Sequence, residues 1–592
     1  MLRFLSTVLA VFAGLVLFMV FIILVIAGMI GSASRAKPLP KSIVLELDAR
    51  QPITDGQNVD TFLGSVRGGQ SVVGIVEALE QARQDPAVKG LYIRANATLG
   101  LEPGQVEEIR DAVMDFKSAG KFVYGQVQDL SDPGLGGYFL LSAADQIWMQ
   151  PSGVIYSQGV AASSVYFKGT LDKLDSSAEV LAYHEYKTAF NAFINAAPTD
   201  AEREEDMRQL QTVFDSFTGS IAKARAMTRD QFVALLGQGP FTAPEALKAH
   251  WIDKLGYSTD AEAAAKARAG DGADTVDVGD YVRLKGSPYK SGPVVAFIEA
   301  QGEIIDGLDQ QSLFNDTDQF GSDSVTKAII DATDDAAIKA IVFRINSPGG
   351  AAAAPDEVWN AIARARAKGK PVVVDMSGVA ASAGYWIAAD ADQIVAEPST
   401  ITGSIGVIGT KFVLKGLLDK LGVSVAEMSV GGNESFMDSP LHPFTPEEWA
   451  ALHKEFDFTY GIFIDRVAQG RKLPVATVQD LAKGRVWTGI DAKDRGLVDQ
   501  LGGLKVAIAA AKKLAHIAPS SSIELRSFPG QKGFFEQIFS AFGASSEVAH
   551  SLGAIAQVLQ LGPTAELLKA LRAEDAAERA PLRAEVQPVK LH

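Results

Sequence analysis

Short apolar runs alternate with amphipathic stretches along most of the chain. Residues 341–343 (Ile-Val-Phe) form a β-branched and aromatic run of the kind that favours a strand. From Pro355 to Lys368 the apolar positions recur three or four residues apart, which predicts a helix with one buried face. A second apolar run follows at residues 371–374. Because apolar strands that alternate with helices are typical of a parallel sheet covered on both faces, the sequence predicts an α/β fold.

This pattern is present twice, which indicates a duplication. The segment Val88–Arg94 resembles Ile338–Arg344 at an offset of 250 residues, and three further pairs keep nearly the same spacing. These pairs are Asp-Gln-Ile at 145–147 and 392–394, Leu-Asp-Lys-Leu at 171–174 and 418–421, and residues 252–256 with 498–502. We therefore divide the body into a first α/β repeat over residues 41–290 and a second over residues 291–515.

The two ends of the chain differ from this body. No charged residue occurs from Phe4 to Ile30, and a helix of roughly 27 residues is long enough to span a bilayer. We predict a transmembrane anchor within residues 1–40, and a cleaved signal peptide is the alternative because small residues follow at 33–36. Basic residues flank the segment on both sides, so charge does not decide its orientation. Residues 516–592 carry no repeat and are predicted to be partly disordered.

Composition and motif content exclude several classes of protein. With 55 Lys and Arg residues against 71 Asp and Glu residues, the formal net charge is −16, and such a surface repels nucleic acid. Cysteine is absent, which excludes disulfides, thiolate metal sites and a cysteine nucleophile. The sequence contains no Walker loop, no His-Glu-x-x-His zinc motif and no dinucleotide fingerprint. We therefore expect no nucleic acid partner, no metal and no cofactor.

Two loops of the second repeat could carry chemistry. Residues 346–350 (Asn-Ser-Pro-Gly-Gly) lie between an apolar strand and a helix, so the backbone N–H groups of Gly349 and Gly350 could bind developing negative charge. A tight turn that needs positive φ is the alternative interpretation. Ser382 lies among small residues after the next apolar strand, where a peptide carbonyl could approach its hydroxyl. The alternative there is a small-residue helix start packed on the sheet.

The first repeat lacks these chemical groups. At an offset of 247 residues Ser382 corresponds to Leu135, and at 250 residues the Ser-Pro-Gly-Gly loop corresponds to residues 97–100 (Ala-Thr-Leu-Gly). The first repeat thus keeps the scaffold without the hydroxyl. This asymmetry favours a chemical role for Ser382 over a purely structural one.

A nucleophilic serine needs a base. None of the seven histidines lies beside an Asp in either loop, so a Ser-His-Asp triad is unsupported. Lys187 lies between Tyr186 and a run of small and apolar residues, which favours a desolvated amine, and a solvated surface lysine is the alternative. Because a free lysine has a pKa of about 10.4, a lysine base has to be buried and distant from carboxylates. We therefore expect the side chain of the neighbouring Glu185 to point away.

Four motifs together resemble one family. These motifs are Ser347–Gly350, Ala380–Ile387, Thr402–Val407 and Tyr186-Lys187. They resemble the long, duplicated form of the signal peptide peptidase A (protease IV) family. The resemblance implies two tandem Clp-protease/crotonase-like repeats and a homotetramer. It also implies a single-pass anchor through residues 4–30 in the lipid of the bacterial inner membrane, with the catalytic body on the periplasmic side.

The resemblance further implies a site and an activity. A serine–lysine dyad would be divided between the repeats, with Ser382 as nucleophile, Lys187 as general base and Ser404 orienting the lysine. The backbone N–H groups expected to form an oxyanion hole are those of Gly349, Gly350 and Ala383. Ala383 stands at a position where the family usually carries a glycine. The implied activity is ATP-independent endopeptidase cleavage of remnant signal peptides and other hydrophobic peptides.

Two other functions remain open from the sequence. Crotonase-like folds also bind acyl-CoA, although the charge of −16 and the apolar N-terminal segment argue against a CoA phosphate site. A membrane scaffold that kept the fold without activity is the second alternative. Reaction of Ser382 with a fluorophosphonate would argue against simple CoA chemistry, and cleavage that depends on both Ser382 and Lys187 would argue against the scaffold.

Overall fold

A computed structural model of the protein describes residues 38–56, 70–132, 134–156, 159–309, 319–431 and 437–529. The predicted anchor at residues 4–30 and the part of the predicted tail beyond residue 529 lie outside these ranges. Within them, no helix combines the length and the apolar character needed to cross a membrane.

The first half of the described chain contains strands and helices in alternation. Its strands are β1 (Ser42–Asp48), β2 (Ile53–Thr54), β3 (Gln70–Ser71), β4 (Val88–Arg94), β5 (Phe122–Val127), β6 (Gln146–Met149), β7 (Val154–Ile155), β8 (Ser177–Ala182), β9 (Phe241–Thr242), β10 (Lys254–Leu255) and β11 (Ala273–Asp277). Its helices are α1 (Val72–Gln84), α2 (Pro103–Ser118), α3 (Gly136–Leu141), α4 (Lys168–Lys173), α5 (Asn191–Ile194), α6 (Asp200–Ala224), α7 (Arg229–Leu236), α8 (Ala243–Lys248), α9 (Ser258–Ala269) and α10 (Val278–Lys285).

The second half continues in the same manner. Its strands are β12 (Val294–Gln301), β13 (Glu303–Ile305), β14 (Gln319–Gly321), β15 (Ile338–Ser347), β16 (Val372–Ala381), β17 (Gln393–Ala396), β18 (Ile401–Gly403), β19 (Ile408–Val413), β20 (Val486–Thr488), β21 (Gln500–Leu501) and β22 (Glu524–Phe528). Its helices are α11 (Ser322–Asp334), α12 (Ala354–Ala367), α13 (Ala383–Ala388), α14 (Lys415–Lys420), α15 (Pro446–Arg471), α16 (Val475–Leu481), α17 (Gly489–Asp494) and α18 (Leu504–Leu514).

The first half forms a parallel sheet that is covered on both faces. Among the described residues its order is β10-β6-β5-β4-β1-β11. Successive side chains of a strand point to opposite faces. Accordingly, Leu91 and Ile93 of β4 belong to the apolar cluster that contains α2, whereas Tyr92 packs in the cluster with α9. The apolar runs of the sequence are therefore strands with no solvent-facing side.

The second half repeats this topology. Its sheet contains the corresponding order β21-β17-β16-β15-β12-β22, and β18 and β20 extend it from β16. The predicted strand and helix at residues 341–343 and 355–368 lie in β15 and α12, so the α/β fold and its duplication are confirmed. Strand β22 pairs in parallel with β12, which carries the second sheet past residue 515, where the sequence analysis ends the repeat.

An antiparallel strand pair joins the two halves. Strand β8 of the first half pairs with β19 of the second, from Ala182 opposite Ile408 to Ser177 opposite Val413. The chain leaves β8 toward Lys187 and enters β19 from Ser404. This pairing therefore brings two loops that are distant in sequence to the same place.

A buried ion cluster also connects the halves. Arg344 in β15 is 1% exposed, and its Nη2 contacts Asp55 Oδ1 at 2.7 Å and Glu108 Oε2 at 2.8 Å, both from the first half. Its Nη1 contacts Asp375 Oδ2 at 2.6 Å. Removing one partner of such a cluster leaves uncompensated charge in the interior, which is strongly destabilising.

We predict that Arg344→Met lowers the free energy of unfolding by about 3–5 kcal/mol, because it leaves the carboxylates of Asp55 and Glu108 without their cation. Arg94, at the equivalent position of the first half, is the matched control. Its side chain is 22% exposed and its carboxylate partners lie at 3.7 Å, so Arg94→Met is expected to cost less than about 1 kcal/mol. Urea unfolding measures both variants, and equal losses would contradict the assignment.

Candidate active site

Ser382 lies at the turn between β16 and α13. Its backbone has φ 55° and ψ −123°, a region that residues other than glycine rarely occupy. The turn is held because the Ser382 N–H donates to Gly403 O at 2.9 Å, and the Ser382 carbonyl accepts the N–H groups of Tyr385 and Trp386 at 3.0 Å. Strained residues of this kind cluster at active sites, and a strand-to-helix turn is where hydrolases often expose a nucleophilic serine.

The glycine loop packs directly against this serine. Gly349 has φ 118°, and a Cβ atom on it would lie 2.8 Å from the Cβ of Ser382, so only glycine fits. The Gly349 N–H donates to Ser347 Oγ at 3.2 Å. In the part of the chain that the structure describes, the N–H groups of Gly350 and Ala383 have no protein acceptor. These two donors are the ones open to a ligand.

Lys187 reaches Ser382 from the first half of the chain. Its Nζ lies 2.9 Å from Ser382 Oγ, 2.9 Å from Ser404 Oγ and 2.8 Å from the carbonyl oxygen of Ser404. Lys187 is 6% exposed. The structure thus brings together the three side chains that the sequence analysis selected from two separate repeats.

Burial changes the protonation of this lysine. Desolvation lowers the pKa of Lys187 to about 7, against an opposing effect of the Glu205 carboxylate, which raises it. The neighbouring Glu185 instead faces Lys483, with Oε1 and Nζ 3.7 Å apart, in agreement with the expected orientation. A large fraction of the Lys187 amine is therefore neutral near pH 7 and able to accept a proton.

Two glycines that have no assigned role in the sequence analysis make room for the lysine loop. Gly406 lies in the Thr402–Val407 motif, whereas Gly484 lies outside the four motifs. A Cβ atom on Gly484, which has φ 79°, would lie 2.5 Å from the Cβ of Lys187. A Cβ atom on Gly406 would lie 2.2 Å from the carbonyl oxygen of Tyr183. The Gly484 N–H donates to Ile405 O at 2.8 Å, which ties this support to the segment after Ser404. Isolated glycines at turns gave no signal for this role.

Sequence reasoning also missed Glu205, whose carboxylate acts on an amine that was expected to be distant from carboxylates. It lies on α6, is buried, and accepts the backbone N–H of Val486 at 3.1 Å. Burial raises the pKa of Glu205 to about 8. A glutamate in a helix rich in charged residues is normally read as solvent-exposed, and only the tertiary structure places it beside the lysine loop.

The duplication explains why the chain has one such site among the described residues. Leu135 and Ser382 occupy the same position, each immediately before a short helix. Leu135 has φ −103° and is buried. The first half therefore has neither the hydroxyl nor the strained turn.

No histidine of the described ranges hydrogen-bonds to Ser382, Lys187 or Ser404. In the same ranges, no group of His, Asp and Glu side chains has the arrangement needed to hold a metal ion.

Comparison with known proteins identifies the family of the chain. The profile of peptidase family S49 matches residues 115–271 and 364–518, and a Clp protease profile matches residues 308–400. Protease 4 of Salmonella typhi is 33% identical over 529 residues, which cover 85% of this chain and 83% of that protein. The chloroplast serine protease SPPA of Arabidopsis thaliana is 30% identical over 499 residues, which cover 83% of this chain and 72% of that protein. Protease 4 of Haemophilus influenzae is 29% identical over 539 residues, which cover 87% of this chain and 85% of that protein.

The S49 profile and the protease relatives identify a serine-type peptidase. The S49 profile covers more than half of the chain, and a relative above 30% identity is matched over most of its length. The chain belongs to peptidase family S49. The resemblance inferred from the four motifs is thereby confirmed.

We predict that Gly484→Ala lowers peptidase activity at least about tenfold, because the new methyl group displaces Lys187. Gly369→Ala is the matched control. Gly369 has φ 77°, close to the 79° of Gly484, but a Cβ there would meet nothing within 4 Å. Gly369→Ala should lower the free energy of unfolding by about 1 kcal/mol, because alanine is strained at this φ. Its peptidase activity should be unchanged. Equal losses of activity in both variants would contradict a packing role for Gly484.

Proposed function

We propose that the protein is a membrane-anchored serine endopeptidase in which Ser382 is the nucleophile and Lys187 the general base. The observation that carries the proposal is the 2.9 Å contact between Lys187 Nζ and Ser382 Oγ, with the amine buried. A nucleophile within hydrogen-bond reach of a base whose pKa is near the working pH meets both the geometric and the energetic requirement for attack.

The reaction proceeds through an acyl-enzyme. Neutral Lys187 accepts the proton of Ser382 Oγ while that oxygen attacks the scissile carbonyl. The lysine ammonium then protonates the leaving amine as the C–N bond breaks. In the second half of the cycle Lys187 takes a proton from water, whose oxygen attacks the acyl-enzyme ester, and Ser382 recovers its proton. No metal, nucleotide or other cofactor takes part.

Backbone donors stabilise the oxyanion of the tetrahedral intermediates. Of the three N–H groups predicted for this role, those of Gly350 and Ala383 are supported by their lack of a protein acceptor in the described ranges. The Gly349 N–H already donates to Ser347 Oγ, so we assign Gly349 to close packing against Ser382. One such donor is worth about 2.7–4 kcal/mol of transition-state stabilisation.

Ser404 orients the base. Its hydroxyl and its carbonyl oxygen take up two of the three hydrogen bonds that the Lys187 ammonium can donate. The third bond is directed to Ser382 Oγ. Fixing two bonds on one residue leaves the amine aimed at the nucleophile, and Ser404 itself gives or takes no proton in the reaction.

The proposed substrates are hydrophobic peptides, including remnant signal peptides. The support is the family resemblance and the apolar segment Phe4–Ile30, which would hold the enzyme at the bilayer where such peptides are left. We further propose a homotetramer, with its body on the periplasmic side of a bacterial inner membrane.

We predict that Ser382→Ala and Lys187→Ala each lower kcat/KM for a hydrophobic peptide by about 10²–10⁴-fold or more, because each removes half of the dyad. Ser404→Ala should lower kcat/KM by only about tenfold to a hundredfold, because the base is still present and loses only its orientation. Lys248→Ala, which changes an exposed lysine of α8, is the control and should keep wild-type activity. A fluorophosphonate should label the wild type but not Ser382→Ala. Full cleavage by either dyad variant would overturn the proposal.

Activity should also rise with pH through a midpoint near 7. The folded-state pKa of Lys187 is lowered to about 7 by burial, and only the neutral amine accepts the serine proton. At pH 5 we therefore expect kcat/KM about a hundredfold below its plateau at pH 9. Circular dichroism at pH 5 checks that the fold persists. A plateau that extends below pH 6 would exclude Lys187 as the base.

A further inference from the structure

The first turn of helix α6 contacts both segments that surround Lys187. The helix start is fixed because Thr199 Oγ1 accepts the N–H of Glu202 at 3.2 Å. Glu202 accepts a hydrogen bond from Asn191 Nδ2 at 2.9 Å, on the chain that follows the lysine. Glu204 accepts bonds from Tyr186 Oη at 2.9 Å and from Arg485 Nη2 at 2.7 Å. One helix turn therefore connects the lysine loop to the start of β20.

Glu205 differs from its neighbour on this turn. Glu204 is exposed to solvent, whereas Glu205 is 4% exposed and points into the protein, where it accepts the Val486 N–H at 3.1 Å. The residue before Val486 is Arg485, whose carbonyl accepts the N–H of Ser404 at 2.7 Å. Glu205 is thus linked through one strand to the residue that holds the lysine amine.

The charge of this carboxylate acts on the amine. Glu205 opposes the effect of burial on the pKa of Lys187, and Lys187 in turn acts on the pKa of Glu205. No hydrogen bond or ion pair at contact distance joins the two groups within the described ranges. An effect of Glu205 on the amine therefore has to be electrostatic and to act through a poorly solvated interior, where charges are weakly screened.

We propose that Glu205 is a positioning residue that sets how readily Lys187 gives up its proton. An ionised Glu205 favours the ammonium form of Lys187, so the neutral amine that removes the proton from Ser382 forms at higher pH than it would beside a protonated Glu205. This inference rests on the proposed function, because it assumes that Lys187 is the base.

Few other charged groups face this pair. Glu205 is influenced by Asp206 on its own helix, by Arg485 at the start of β20 and by Lys187. Arg485 is neutralised in part by Glu204, and its guanidinium lies over the rings of Tyr186 at 4.6 Å and Trp487 at 4.5 Å. On the other side the Lys187 amine contacts the oxygens of Ser382 and Ser404.

The pair therefore titrates as a unit. Burial raises the pKa of Glu205 to about 8 and lowers that of Lys187 to about 7, so the two groups exchange protons over the same pH range. In the wild type the rise of activity with pH should be broader than the titration of a single group. Without the Glu205 charge the pH profile should follow the ionisation of Lys187 alone, with its midpoint at lower pH.

The test compares the pH profile of kcat/KM in the full-length wild type and in Glu205→Gln, whose amide oxygen can still accept the Val486 N–H. We expect the midpoint to fall by about half to one pH unit, less than the 1–3 units of an opposite charge in contact. Asp200→Asn is the matched control. Asp200 is exposed on the same helix and takes no part in the contacts of Glu205 or Arg485, so its midpoint should stay at the wild-type value.

Asp206→Asn gives a second, opposite test and keeps the inference falsifiable if Glu205→Gln does not fold. Removing the Asp206 charge favours ionisation of Glu205, so the midpoint should move to higher pH. A uniform loss of activity in Glu205→Gln with no shift, or shifts of the same sign in both variants, would overturn the inference while Lys187→Ala remains inactive. Cleavage by Lys187→Ala would instead overturn the proposed function itself.

Discussion

The structure depends on one contact, in which an amine from the first half of the chain lies 2.9 Å from a serine hydroxyl of the second half. The contact allows proton transfer from the serine only because burial of the amine favours its neutral form. A change in the pKa of Lys187 from 10.5 to about 7 corresponds to about 4–5 kcal/mol that the folded protein has to supply. The positive φ of Ser382 adds a strain of about 1–3 kcal/mol.

The surrounding architecture holds this unfavourable arrangement in place. The pairing of β8 with β19 brings the two loops together, and the Arg344 cluster fixes the two sheets to each other. Helix α6 then closes the site from outside through its contacts to the lysine loop and to β20. The strand pair, the Arg344 cluster and the contact of α6 with β20 cross between the halves, so the site cannot form in one half alone.

Much of this could be predicted from the sequence, for reasons that differ between residues. Apolar runs identify strands buried on both faces, and the constant offset between similar segments identifies the duplication. Ser382 is detectable because its position differs between the two copies. Lys187 depends on family resemblance, because a lysine beside a tyrosine has no pattern that distinguishes a buried base from a surface charge.

The remaining residues could not be predicted, because their role arises from contacts distant in sequence. Gly484 is required by the backbone of Lys187, nearly 300 positions earlier in the chain. Glu205 and Arg344 are charged residues that the burial rules place at the surface unless they are paired. Their partners, Val486 and Asp55, lie in the opposite half of the chain.

The relaxed turn at Leu135 has a consequence for how the activity could be duplicated. At φ −103° and ψ −11° this position has an ordinary backbone conformation, and its apolar side chain fills the core where the other half holds a hydroxyl. A serine at position 135 would place its hydroxyl in an apolar core, whereas the lysine that activates Ser382 lies at the other site. A second active site would therefore need the strained turn of Ser382 to be rebuilt at a position that now has an ordinary backbone.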